Sequence, residues 1–187
     1  MTLPDKYTKP AVILHWLIAI GIWFNAGKML FTPDDDRTRD IINFHKSVGI
    51  TVLGLVVLRL LWRYAHKPPA PVATLKPWER KLSLGIHHLL YLLIFLIPLS
   101  GWLMNSASVN KLTGQPYDIT LFGAVHWFNL PFFSGMSDAG KHAAHGFFEG
   151  AHGLMTWVLM AALTLHVLGA LKHQFLDKEK ELQRMWF

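Results

Sequence analysis

The stretch AHGLMTWVLMAALTLHVLGALKH, from Ala151 to His173, decides the fold. At 1.5 Å of rise per residue it is long enough, as a helix, to cross about 30 Å of hydrocarbon. Yet it carries His152, His166 and His173, spaced by fourteen and then seven residues. An ionisable side chain inside a bilayer is costly, so it normally faces the interior of a bundle and marks function. The stretch therefore reads as one wall of a membrane bundle.

Three further apolar runs lie upstream. The four spans are expected at about 11–31, 41–64, 82–104 and 147–172, within one domain covering 1–187. The first is long enough to read as a span and not as a cleaved leader. Long runs without strict alternation predict helices, not the strands of a closed barrel. The fold class expected is all-α, an integral membrane four-helix bundle. HKPPAPVATLKP after span two reads as a Pro-rich linker, and the aromatic LFGAVHWFNLPFFSG between spans three and four as a segment lying on the outer surface.

Composition agrees with a membrane chain. Of 187 residues 52% are hydrophobic, the mean hydropathy is +0.29, and eight Trp and twelve Phe suit two membrane–water interfaces. In so apolar a chain the net charge of +6 is read as basic loops facing an anionic leaflet, not as a nucleic-acid surface. Twelve of the eighteen basic residues fall at the start, between spans two and three, or at the end; the other side carries six basic and seven acidic residues. The positive-inside rule then places both termini in the cytoplasm. There is no cysteine, which excludes disulfides, iron–sulfur clusters and covalently attached c-type haem. Any cofactor must be held by other side chains, and the eleven histidines are the supply.

The histidines sort by depth. His45 and His152 fall near the outer ends of spans two and four, and His15 and His166 nearer the inner side, with His87 at similar depth. His152 and His166 lie about 21 Å apart along one helix. Their fourteen-residue spacing is only about 40° short of four full turns, so both point to a similar side. A single membrane histidine ordinarily bonds a neighbouring helix. Two pairs at two depths instead suggest axial ligation of two b-type haems, one near each face. Gly49 and Gly153, beside the outer pair, would leave room for a flat ring or simply let helices pack.

These residues resemble a known family. ILHWL, FHKSVGI, GIHHLLYLL, IPLSGWLM, the AHG and LHVLGALKHQF parts of the fourth span, and DKEKELQRM are similar to bacterial cytochrome b561 sequences. These belong with the b subunits of nickel–iron hydrogenases and formate dehydrogenase. The resemblance implies a four-helix di-haem cytochrome of the bacterial inner membrane, with His45 and His152 at the periplasmic haem and His15 and His166 at the cytoplasmic one. Within the family it is similar to stand-alone members, including a superoxide oxidase type that passes electrons from periplasmic superoxide to ubiquinone. The loop between spans three and four departs from that type, which leaves the donor open. The resemblance points to His173 as a quinone-site residue and matches His87 to a family histidine on span three, here a second candidate for that site.

Basic residues complete the candidate set. Lys46 beside His45 would pair with an outer-haem propionate or draw in an anionic donor. Arg59, Arg63 and Lys172 would hold propionates, assist a quinone, or snorkel to lipid phosphate. His142 and His145 form an H-x-x-H just before span four, two ligands short of a metal site. The expected partners are lipid, ubiquinone and a periplasmic donor or protein. Two rival readings remain: an electron-transfer subunit serving another dehydrogenase, and a haem-free transporter using its histidines for metal or protons.

Overall fold

The computed structural model describes residues 6–69 and 76–186. Half of the Pro-rich linker, 70–75, lies outside the described residues. Four long helices follow one another: α1 (Lys9–Phe31), α2 (Arg39–Ala65), α3 (Pro77–Ser106) and α4 (Asp138–Leu171). All four are long and apolar enough to cross a membrane. A π-helical turn (Lys172–Leu176) extends α4, and a short α5 (Glu181–Arg184) ends the chain.

The helix ends follow from local chemistry. Thr38 caps α2 by accepting the Ile41 amide, and Ser137 caps α4 by accepting the Gly140 amide. Pro77 opens α3, where a missing N–H costs nothing, and Glu79 reaches back to the Lys76 amide at 3.1 Å. These signals carry α3 and α4 five and nine residues upstream of the spans expected from hydropathy. Hydropathy marks what faces lipid, whereas capping marks where a helix starts.

The sequence order sets the packing. α1 lies on α2, α2 on α3 and α3 along α4, whereas the backbone of α4 keeps its distance from α1 and α2. The buried core is small: Ile18, Val52, Val56, Leu90, Leu93, Ile94, Leu159 and Ala162. Large apolar side chains such as Trp23, Leu61 and Trp157 point outward, as expected where lipid is the solvent. The chain's beginning and end meet at one end of the bundle: the Tyr7 amide donates to the Arg184 carbonyl, and the Trp16 indole to the Met185 carbonyl at 2.9 Å.

The connection between α3 and α4 is more ordered than a segment lying on the surface. It forms an antiparallel hairpin, β1 (Ile119–Leu121) and β2 (Val125–Trp127), turning through Phe122 and Gly123 at positive φ. The helix ends hold it. Ser47 accepts the Phe122 amide (2.9 Å), Ser106 accepts the Leu130 amide (2.9 Å), Asn105 donates to the Tyr117 carbonyl (2.8 Å) and Trp102 to the Phe128 carbonyl (2.9 Å). Each satisfies a loop backbone group that would otherwise be stranded near apolar surface.

α1 comes close to α2 at Gly21, where an added Cβ would lie 2.9 Å from Val52 Cγ2. Val52 is buried and stiff at χ1. Gly21→Ala is therefore expected to cost about 1–3 kcal/mol, read as a lower thermal midpoint in detergent. Gly27→Ala, whose Cβ meets nothing within 4 Å, should not lower the midpoint.

Candidate functional site

Two layers of imidazoles face each other across the space that separates α4 from α1 and α2. Near the hairpin end, the rings of His45 (α2) and His152 (α4) have centres 6.0 Å apart and planes at 76°. His152 is firmly oriented. Its Nδ1 donates to the Ile97 carbonyl at 2.9 Å and lies 3.1 Å from the Ser100 hydroxyl, which donates to the same carbonyl at 2.7 Å. This fixes the tautomer and leaves Nε2 as the bare, acceptor nitrogen, the usual outer-shell arrangement of a metal-binding histidine. Gly101 makes room for the ring: a Cβ there would sit 3.2 Å from His152 Cε1. His45 is held through its backbone, whose carbonyl accepts from Asn25 Nδ2 at 3.2 Å. The His45 Nδ1 and Asn25 Oδ1 atoms are buried without partners.

Near the end where the termini meet, His15 (α1) and His166 (α4) have ring centres 6.3 Å apart at 70°. His87 (α3) comes closer to His166, at 5.1 Å, and donates from Nδ1 to the Ser83 carbonyl at 2.7 Å. Arg59 spans three helices: it donates to the Ala11 carbonyl (2.8 Å), one turn from His15, and to the Tyr91 hydroxyl (3.1 Å). Arg63 lies over the Tyr91 ring at 5.3 Å.

The residues fit haem. Two imidazoles bound to opposite sides of one metal at about 2 Å each have ring centres roughly 6 Å apart. His45–His152 and His15–His166 both meet that distance, and His87–His166 falls short of it. Each pair joins α4 to a helix whose backbone it does not pack against. A Cβ at Gly49 or Gly153 would meet nothing within 4 Å. Among the described residues no group of three or more His, Cys, Asp or Glu could hold a bare metal ion. In the H-x-x-H, His142 is exposed and His145 donates to the Met104 carbonyl at 2.9 Å, tying α4 to α3.

His173 sits in the π-helical turn, a distortion that often marks functional sites. Its Nδ1 lies 2.7 Å from Asp177 Oδ2. The same oxygen accepts from Lys172 at 2.8 Å, and Lys172 also pairs with Glu79 at the start of α3. Lys172 is thus held by two carboxylates of the chain itself. The hydrogen bonds from Lys172 and His173 hold the Asp177 carboxyl below the usual carboxylate range. The contact is therefore present at neutral pH and is lost only as pH falls through that lowered value. Asp177, Glu79, Ser100 and Asn25 escaped sequence reasoning. Asp177 had a signal, four residues after His173 on a helical spacing, whereas the other three depend on contacts between distant helices.

At the hairpin end Lys46 is half-buried beside His45, with no carboxylate partner among the described residues. His126 on β2 is exposed, whereas the Trp127 indole N–H is buried without an acceptor.

Comparison with known proteins bears on all of this. The family described as prokaryotic cytochrome b561 matches residues 6–187. The chain is 35% identical over 187 residues to cytochrome b561 homolog 2 of Escherichia coli, covering 97% of this chain and 92% of that protein. It is 26% identical to cytochrome b562 of Cereibacter sphaeroides, covering 99% and 98%. It is 23% identical to cytochrome b561 homolog 1 of Escherichia coli, covering 78% and 92%. With four membrane-capable helices and the imidazole pairs between them, the chain belongs to the prokaryotic cytochrome b561 family, multi-pass b-type cytochromes of the bacterial inner membrane that bind haem b and transfer electrons.

Proposed function

We propose that the chain holds two haems b, one between His45 and His152 and one between His15 and His166, and carries electrons between a periplasmic donor and ubiquinone. The observation that carries this reading is the pair of imidazole separations, 6.0 and 6.3 Å, each between α4 and a helix whose backbone it does not pack against. The excess of basic residues at the end holding both termini supports a cytoplasmic location for that end.

When bound, haem supplies reversible one-electron chemistry. The chain's own residues do the rest. His152, locked by the Ile97 carbonyl, presents Nε2 in a fixed direction. Arg59, one turn from His15, offers a cation to an inner-haem propionate. Lys46 offers one at the outer end, either to a propionate or to an anionic donor. His173 serves the quinone. With Nδ1 turned to Asp177, its Nε2 is free to exchange a proton with a quinone oxygen. Beside the π-helical turn lies an open groove of about 380 Å³, lined by Gln174, Phe175, Leu182, Gln183, Trp186 and Lys6, in the size range of small-molecule sites. If the donor is superoxide, two superoxide ions release one electron each as dioxygen, and one quinone takes both electrons with two protons.

The alternative, a subunit passing electrons from a partner protein, shares the haem arrangement and differs only in the donor. The haem-free transporter reading is less well served by the structure: apart from the imidazole pairs, the described residues bring no metal-binding group together.

His152→Ala and His166→Ala should each lower the haem content of the purified protein by about one per chain; full retention in both variants would refute the pairing. Superoxide mixed with oxidised protein and ubiquinone should reduce the haem faster than the uncatalysed control, and equal rates would leave the partner-fed reading. His173→Ala should keep the reduced-minus-oxidised spectrum and slow quinone reduction at least tenfold. Asp177→Asn should lower the same rate less, with little change in the quinone KM, because the imidazole remains but its orientation is lost. An unchanged rate in His173→Ala would move the quinone elsewhere.

A further inference from the structure

At the end of the bundle where the termini meet, some cations are neutralised by carboxylates and others, among the described residues, are not. Lys172 and His173, in the π-helical turn after α4, take up Glu79 and Asp177. On the opposite flank Lys6, Arg63 and Lys67 surround a cleft between α1, α2 and α3, and none has a carboxylate partner among the described residues. The cleft's walls are built. The Trp62 indole donates to the Thr8 hydroxyl at 2.8 Å. His66 stacks on Trp62, ring centres 3.9 Å apart and planes at 9°, with its Nδ1 bonded to the Trp62 carbonyl at 3.1 Å. Arg59 closes the floor through its bonds to Ala11 and Tyr91.

From this juxtaposition we infer that the cleft binds the phosphate of an anionic phospholipid of the leaflet facing this end. Among the described residues the lining includes no Asp or Glu, so their charges are of one sign. Basic pockets between transmembrane helices on the cytoplasmic side are the usual seats of such headgroups. Its free volume of about 30 Å³ admits two or three water-sized groups, enough for phosphate oxygens and too little for a quinone ring. No described residue of α4 lines it. A path for acyl chains lies beside it: Leu58 and Leu61 are exposed on α2 towards mid-membrane, and Tyr64, 95% exposed, stands at the border. A lipid phosphate there would neutralise the uncompensated charge and tie the ends of α1 and α2 together.

The test is native mass spectrometry of the haem-loaded protein in detergent, titrated with phosphatidylglycerol or with zwitterionic phosphatidylcholine. Two double variants remove the same charge from different places: Arg63→Gln with Lys67→Gln, and Lys178→Gln with Lys180→Gln. Phosphatidylglycerol should bind the unaltered protein more tightly than phosphatidylcholine. The first double variant should lose affinity by about fivefold per charge removed, and the second should retain it. Equal loss in both variants would reduce the site to a diffuse field and overturn the inference, as would equal binding of the two lipids. Displacement of the lipid by millimolar inorganic phosphate would also overturn it, because the ligand would then be a soluble ion. Haem absorbance of each variant reports folding independently of lipid retention.

Discussion

The structure turns on the separation of α4 from α1 and α2. A lipid-embedded bundle normally brings its helices together through close van der Waals packing. Here the backbone of α4 packs along α3 and not along α1 or α2, and the imidazoles of His15 and His45 face those of His166 and His152. The core shared by the four helices is apolar, built mostly from Ile, Val and Leu. A group with an apolar body and a metal that takes imidazole ligands would suit such surroundings. Haem, which this family binds, is such a group.

The two ends of the bundle are stabilised by different physics. At the hairpin end, serine, asparagine and tryptophan side chains hold backbone groups of the loop, in neutral bonds such as Ser106 to Leu130 and Asn105 to Tyr117. These do not weaken with salt and keep the loop in place beside His45 and His152. At the other end the ties are ionic, with Lys172 bridging Glu79 and Asp177, and they lie where water and salt screen them. The π-helical turn at His173 adds a backbone distortion at the same place. The His45–His152 pair is thus set beside a frame of neutral hydrogen bonds, and the His15–His166 pair lies near ionic ties that salt weakens.

How much could be read from the sequence follows from the range of the forces involved. The four spans were legible because hydropathy and helix rise act locally, and so was the grouping of histidines by depth, because 1.5 Å per residue converts position into height. The helix starts at Pro77 and Ser137 were written in capping residues, yet an apolar window passes over them. The hairpin was hidden by its aromatic content: Ile119–Leu121 and Val125–Trp127 are only three residues each, too short for alternation to be visible. The Ile97–Ser100–His152 contact could not be found from spacing, because it depends on how α3 and α4 are rotated against each other.

That rotation also bears on why His87 and His15 are not interchangeable. Both stand near His166, but α3 packs tightly on α4 and α1 does not. The ring of His87, carried on the packed neighbour, stands at 5.1 Å. A ring carried on the distant helix stands at 6.3 Å, with space between the two backbones. The distance of each ring from His166 is therefore set by helix packing, several residues away from either imidazole. The apolar side chains that press α3 against α4 set these distances as much as the histidines themselves do.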